Sequence, residues 1–267
     1  MNAKRSSFRL VTMIALIAML AATPASVEAD HSFLGFHWPR EENPFSLRFG
    51  DNVSSGWDSH LRETAEEWSE SSVLNVRVVE GSTTGRRCVP SNRRVQVCSA
   101  AYGDNGILYV STIWVIDSHI TQGTIQLNDT YLNAAPFNTR PWRRYIMCQQ
   151  IGFTLGLDLQ DFDPFNTNLG SCTDVTFNPT GPPRNTKPNR HDFDMPKQIY
   201  AHLDGTVDDL TLASRASPDF DALANADART AESWGAKTLE SADGRSALYT
   251  RDFGNGLMTL TFVSWAK

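Results

Sequence analysis

The sequence predicts an α+β fold, in which a mixed, twisted sheet of about four or five strands packs against a few helices. Two patterns predict it. Apolar residues recur every three or four positions in two long segments, as in amphipathic helices, whereas shorter runs alternate or are rich in β-branched residues, as in strands. With 267 residues, 40% of them hydrophobic, the chain is too apolar to be disordered and long enough for one large domain, or one domain with an appendage.

The N-terminal half predicts one helix among several strands. Trp57, Leu61, Ala65 and Trp68 recur at spacings of four, four and three, which predicts a helix from about Ser55 to Ser71. The run at 107–116 is apolar on both faces, so it should lie at the centre of the core. The predicted strands are Pro44–Phe49, Val73–Val79, Ile107–Ile116 and Gly123–Tyr131, with a hairpin over Gly81–Ser99.

The C-terminal half predicts two helices and a second hairpin. One helix should begin at Asn138 or Thr139, with Pro141 in its first turn, and should end near Leu157. After a long loop, a short helix should span about Pro196 to Asp204. Residues 205–243 have the small, polar composition of a linker, and residues 244–267 should form an appended β-hairpin with a glycine-rich turn at 254–256.

The first 29 residues have the pattern of a secretory signal peptide. Lys4, Arg5 and Arg9 precede an uncharged apolar run over residues 10–22, and Val-Glu-Ala at residues 27–29 provides a cleavage site. The apolar run is short for a bilayer span, although a retained membrane anchor is the alternative. We therefore expect a secreted or periplasmic protein that has no membrane attachment after cleavage.

Export would place the four cysteines in an oxidising compartment, where an even number usually pairs. Cys88 and Cys98 flank a polar, Arg-rich segment and could close the first hairpin, which leaves Cys148 to pair with Cys172. Two other pairings stay open. A thiolate nucleophile at Cys148 would need a histidine base, and none is nearby in the sequence.

The acidic net charge of the chain disfavours polyanionic partners. The chain has 24 Lys and Arg residues against 30 Asp and Glu residues, a formal net charge of -6. Nucleic acids and anionic membrane surfaces bind basic patches, which this composition does not favour. We therefore expect no nucleic-acid partner.

Two segments resemble the zinc site of secreted bacterial metzincin metalloproteases of the matrixin-like type. They are CQQIGFTLGLDLQDF at 148–162 and NLGSCTDV at 168–175. In that family a helix carries HExxHxxGxxH, and a Met-turn lies downstream. The resemblance extends from Trp57 to Asp204, so it implies a metzincin-like domain over residues 30–204, with a long N-terminal helix, a former active-site helix and a short C-terminal helix.

The motif chemistry is lost in this chain. A zinc protease needs two imidazoles one helical turn apart, a glutamate base, a glycine turn and a third imidazole. The corresponding positions are Gln149, Phe153 and Leu159 for the metal ligands, Gln150 for the base, Gly156 for the turn and Thr173 for the Met-turn methionine. Phe and Leu have no lone pair, and an amide is neither a good zinc ligand nor a base. The sequence therefore predicts neither a catalytic residue nor a metal ligand at this motif.

The spacing of other residues allows two further metal sites. His191 and His202 lie near Asp192, Asp194 and Asp204, and this group could supply a rebuilt zinc site. The remaining histidines are scattered without ligand spacing: His31, His37, His60 and His119. Asp104-Asn105-Gly106 could be a calcium-binding turn or simply a turn.

Two functions follow from different classes of protein. The first is a secreted pseudoprotease that keeps the family's substrate cleft as a protein- or peptide-binding surface, with a peptide adding to the strand at 107–115 by main-chain hydrogen bonds. The alternative is an active zinc-dependent metalloendopeptidase with an unconventional ligand set drawn from His191, His202 and nearby aspartates. A third, weaker option is a structural or envelope-associated protein that makes contacts through its terminal hairpin. Neither a particular partner nor an oligomeric state is predicted.

Overall fold

An eight-stranded mixed sheet organises the computed structural model, which describes residues 31–204 and 230–266. The strands are β1 (Phe45–Asn52), β2 (Leu74–Glu80), β3 (Arg94–Ala100), β4 (Ile107–Ile116), β5 (His119–Asn128), β6 (Ala236–Glu240), β7 (Ser246–Gly254) and β8 (Leu257–Trp265). The helices are α1 (Asp58–Trp68), α2 (Asp129–Leu132), α3 (Arg140–Thr154), α4 (Arg190–Ile199) and α5 (Ala231–Trp234). The predicted α+β class with a mixed sheet is confirmed. The signal peptide at 1–29 lies outside the described residues.

The strand order is β2-β1-β3-β5-β4-β8-β7-β6, with a parallel half and an antiparallel half. Strands β2, β1, β3 and β5 run parallel, and the pairs from β5 through β4 to β6 are antiparallel. Every residue of β4 is buried, as its apolar composition predicts. The predicted number of strands was too low, because the terminal hairpin is not an appendage: β8 pairs with β4 and continues the sheet.

The two long helices form where the apolar spacing predicts them. Helix α1 buries Leu61 and Trp68, and the indole Nε1 of Trp68 donates to the carbonyl oxygen of Cys148 on α3 at 3.2 Å. Helix α3 has its proline in the first turn, where a missing N–H costs no helical hydrogen bond. Together the two helices cover the sheet and place the degenerate motif in the core.

The segment predicted as a disulfide hairpin is built differently. Cys88 and Cys98 are joined, and so are Cys148 and Cys172. The chain up to Cys88, however, is a loop rather than a strand, and β3 pairs in parallel with β1 and β5. Since Val95 and Val97 are fully buried, burial against both neighbouring strands outweighs local pairing with residues 81–90.

Helix α4 begins earlier than the sequence predicts. Helix α4 starts after Asn189, whose side chain accepts from the Asp192 N–H while the Asp192 carboxylate accepts from the Asn189 N–H. This capping box sets the start, and Pro196 lies inside the helix instead of at its beginning. Residues 200–204 therefore leave the helix as irregular chain.

The predicted linker at 205–243 is only partly described. Residues 205–229 lie outside the described residues, whereas α5 and β6 fall within 230–243. Among the helices of the described ranges, none has both the length and the apolar character that a membrane span requires.

Candidate functional site

The two glutamines of the degenerate motif connect α3 to β4. The Tyr109 hydroxyl donates to Gln149 Oε1 at 2.9 Å, and Gln149 Nε2 donates to the Tyr145 hydroxyl at 2.9 Å. Ser111 Oγ donates to Gln150 Oε1 at 2.7 Å, and Gln150 Nε2 donates to Gln149 Oε1 at 3.1 Å. Both glutamines are buried, so their amides act as internal cross-links rather than as groups available to a ligand.

The two tyrosines of this network stay protonated. Burial raises the pKa of Tyr109 and that of Tyr145 far above the ordinary range of a phenol. Each hydroxyl therefore has a proton to donate, from Tyr109 to Gln149 and from Tyr145 to the Asp174 carbonyl oxygen at 3.2 Å. The network is complete without an ionised group.

The other motif positions are filled by packing and turn geometry. Phe153 is buried against Phe33 and Phe262, with ring centroids 5.2 and 5.9 Å away. Leu159 is partly buried against the same core. Gly156 has a φ of 92°, and a Cβ there would lie 2.1 Å from the Phe36 carbonyl oxygen, so only glycine fits this reversal.

The Met-turn position belongs to a polar cluster. Thr173 Oγ1 donates to Asp192 Oδ1 at 2.7 Å, and Ser171 Oγ donates to Asp192 Oδ2 at 2.6 Å. Asp192 is fully buried and also caps α4. Here a threonine hydroxyl satisfies a buried carboxylate.

These residues do not fit a catalytic zinc. The ligand positions offer an amide that is already hydrogen-bonded on both of its polar atoms, a phenyl ring and an isobutyl group. Zinc takes thiolate, imidazole or carboxylate donors. No reaction step through a metal can be derived at this motif.

Strand β8 lies where an incoming peptide was expected. It pairs with β4 along the whole strand, from Ile116 opposite Leu257 to Ile107 opposite Trp265. The expectation that 107–115 forms a free edge is therefore wrong. The hairpin sequence alternates strongly enough to bury Leu260 and Phe262 on the side of α3, and this burial favours pairing with β4 over an exposed appendage.

A second group of polar side chains converges at the C-terminal end of the 31–204 region. The Nε2 atoms of His37, His119 and His202 lie 3.2, 3.2 and 3.1 Å from Asp204 Oδ1. The Nε2 atoms of His37 and His202 are 3.2 Å apart. We refer to these four residues as the His/Asp cluster.

Backbone pairing and one arginine assemble the His/Asp cluster. The His37 N–H donates to the Ser118 carbonyl oxygen at 3.1 Å, and the Ile120 N–H donates to the His37 carbonyl oxygen at 2.7 Å, which places His37 beside His119. The Arg40 N–H donates to Asp204 Oδ2 at 2.8 Å, and Arg40 Nε donates to the His202 carbonyl oxygen at 2.8 Å. Burial acts to raise the pKa of Asp204, but the hydrogen bonds from Arg40 and the imidazoles outweigh it, so this pKa is lowered.

The sequence-based ligand set is only partly brought together. His202 and Asp204 meet, but His191 stacks on His31 at 4.7 Å, and Asp194 pairs with Lys197 at 2.7 Å. Among the described residues, the possible ligand atoms of His37, His119 and Asp204 all lie within 4.8 Å of one another. Sequence spacing missed His37 and His119, and the only local signal was the His-x-Asp pair at 202–204.

The proposed calcium turn has other contacts. The Tyr131 hydroxyl donates to Asp104 Oδ1, and the Ile107 N–H donates to Asn105 Oδ1 at 3.1 Å. Gly106 has a φ of 80°. These contacts are those of an Asx-type turn, and calcium binding remains a prediction.

The comparisons with known proteins assign no family to this chain. No family model matches the chain, and no curated protein matches it. Among solved structures, the chain is similar to high choriolytic enzyme 1, a hatching enzyme zinc-protease from Oryzias latipes (medaka fish), with 11% identity and a TM-score of 0.31. The match covers 61% of this chain and 94% of that one. A likeness of this size assigns neither a family nor an activity.

Proposed function

We propose that this chain is a secreted or periplasmic, metzincin-like pseudoprotease that binds protein or peptide and does not cleave it. The hydrogen-bonded glutamine pair on α3 is the main support. Gln150 occupies the base position, and its two amide atoms contact Ser111 and Gln149. An amide cannot take a proton from water near neutral pH, and Gln150 is fully buried.

The way in which a peptide binds must differ from strand addition to β4. That edge is covered by β8, so a partner has to use another surface. An aromatic groove lies between the α2–α3 connection and the terminal hairpin, with a cavity of about 380 Å³. Phe137 and Trp142 line it in edge contact at 5.2 Å, and Phe177 lies opposite under the Arg245 guanidinium at 5.0 Å.

This groove suits a peptide with an apolar anchor next to an acidic residue. Aromatic side chains and arginine are enriched among the residues that contribute most to binding at protein surfaces. The Arg245 guanidinium, whose Nε lies 3.5 Å from Asp243 Oδ2, is the cationic group that a peptide carboxylate would contact here. A larger concavity of about 630 Å³ lies along residues 38–48 and Arg93. Its rim of Arg40, Glu41 and Glu42 makes it a poorer place to bury an apolar anchor.

Peptide selection tests the proposal. The full mature protein would select binders from a phage-displayed library of random peptides, and synthetic copies would be measured by calorimetry. Phe177→Ala should weaken them at least ~10-fold, because truncating an aromatic anchor typically costs more than 1 kcal/mol. The control Leu239→Ala removes a side chain of similar exposure on β6 and should change affinity less than ~2-fold.

Two results would contradict the proposal. One is cleavage of the selected peptides, or of a casein substrate, that stops on adding chelator, which would support the active metallopeptidase. The other is a set of peptides whose affinity is the same for the Phe177 variant and for wild type. The His/Asp cluster does not itself favour the active metallopeptidase. All four of its residues would act as metal ligands, and none of them would be left to act as a general base.

A further inference from the structure

The His/Asp cluster has the dimensions of a metal site. Ligands at 2.0 to 2.1 Å from a tetrahedral zinc ion lie about 3.3 Å from one another. The three separations between imidazole Nε2 atoms and Asp204 Oδ1, and the one between His37 and His202, are 3.1 to 3.2 Å. We infer that the His/Asp cluster binds a zinc ion.

The orientation of His37 favours a metal ligand. Its Nδ1 lies 2.8 Å from the Gly35 carbonyl oxygen, whereas its Nε2 faces Asp204 Oδ1 and Nε2 of His202. In metal sites, a contact between the other ring nitrogen and a backbone carbonyl is how the ligating imidazole is oriented.

The donor set selects the metal. Calcium and magnesium bind oxygen ligands in shells of six or more, whereas three imidazoles and one carboxylate suit zinc and neighbouring transition metals. Burial supports a site formed before the metal enters, since the side chains of His37 and Asp204 are only 6% and 5% exposed. His202, at 57% exposure, lies on the side from which an ion would enter.

The site is structural rather than catalytic. Four protein donors complete a tetrahedral shell and leave no position for a reacting water. The ion would join three segments: the chain around His37, the start of β5 at His119, and the chain after α4 at His202 and Asp204. It would therefore hold together the C-terminal end of the 31–204 region.

Metal content and thermal stability test the inference on the full mature protein. Protein from zinc-supplemented cells should contain about one zinc per chain by mass spectrometry. Removing zinc with EDTA should lower Tm by about 5 to 15 °C, the shift expected for losing a ligand bound well above its Kd. Cobalt should restore the Tm and give the visible spectrum of a tetrahedral ion.

Matched variants separate this site from other histidines. His202→Gln changes an exposed side chain, so the protein should fold, yet it should lose zinc and most of the EDTA response. Asp204→Asn should do the same. His191→Gln is the control outside the cluster and should keep both. Metal-free wild type with an EDTA-insensitive Tm, or equal zinc in all three variants, would overturn the inference. None of these readouts uses peptidase activity, so the result is independent of the proposed function.

Discussion

Replacing Gln150 by Glu would place a carboxyl group at a buried position where an amide is now hydrogen-bonded to its neighbours. Gln150 is fully buried and donates from Nε2 to Gln149 Oε1. In the ionised variant, an oxygen replaces that donor and faces the Gln149 carbonyl oxygen, and a charge is buried without a cation. Since both effects disfavour the ionised form, the carboxyl should bind its proton well above the usual pH.

The size of the effect follows from this pKa shift. A fully buried Glu reaches a pKa of about 8, against about 4.3 in the unfolded chain. A raised native pKa means that the folded state holds the proton longer, so stability is lost as pH rises between these values. The variant should be less stable than wild type by about 3 to 4 kcal/mol at pH 7 but only about 1 kcal/mol at pH 5, where the protonated carboxyl again donates to Gln149.

Urea unfolding of both proteins at pH 5 and pH 7, with disulfides intact, measures this difference. Gln198→Glu on the exposed face of α4 is the matched control and should change stability by less than about 0.5 kcal/mol at either pH. A Gln150→Glu protein as stable as wild type at pH 7 would contradict this prediction. It would mean that water or a cation reaches the side chain at position 150.

Three further perturbations test the packing, the electrostatics and the cross-links. Phe262→Ala should destabilise the fold by about 3 to 5 kcal/mol in urea unfolding, because it leaves a cavity between α3 and the sheet. The control Phe165→Ala, at a side chain that is 68% exposed, should change stability little. Equal effects of the two substitutions would contradict the burial of Phe262 in the core. Burial raises the pKa of Asp158 to about 6, so this carboxyl should make the wild-type protein less stable as the pH rises from 4 to 6. Asp158→Asn should remove about 2 kcal/mol of pH dependence over that range; parallel pH profiles of the two proteins would contradict this. Converting both Cys148 and Cys172 to Ala removes a disulfide that joins residues 24 positions apart, and it should lower the free energy of unfolding by about 3 kcal/mol. A decrease of less than about 1 kcal/mol would show that this disulfide is dispensable for stability.

Local pattern was enough to locate most elements of the fold. The limits of β4 agree with its apolar run, and α3 agrees with a proline-started amphipathic segment. The failures involve non-local or competing signals. The predicted helix from about Pro196 to Asp204 begins too late, because the capping box at Asn189 starts α4 earlier. The pairing of β8 with β4 joins segments far apart in the chain, and no local spacing encodes it.

The candidate sites differ in how visible they are in a sequence. The degenerate motif could be located because its positions lie within one helix and the loop after it, so the lost chemistry could be identified residue by residue. The His/Asp cluster draws on His37, His119 and the 202–204 segment, which only tertiary structure brings together. Helical periodicity and motif spacing contain no information about such contacts, so only the pair at 202–204 was anticipated.

Two features of the fold depend on each other: the pairing of β8 with β4, and the burial of Phe153 on α3. A peptidase must keep a strand edge open for its substrate and a coordination position open for water, whereas here β8 occupies the edge and Phe153 fills the ligand position. The two features meet where Phe262 of β8 packs against Phe153. A histidine at position 153 would put a polar ring against Phe262 and weaken the pairing that covers β4, while an uncovered β4 would expose the apolar face of Phe153. Opening the β4 edge alone, or introducing a polar ring at position 153 alone, is therefore destabilising, so the pairing of β8 and the packing of Phe153 support each other.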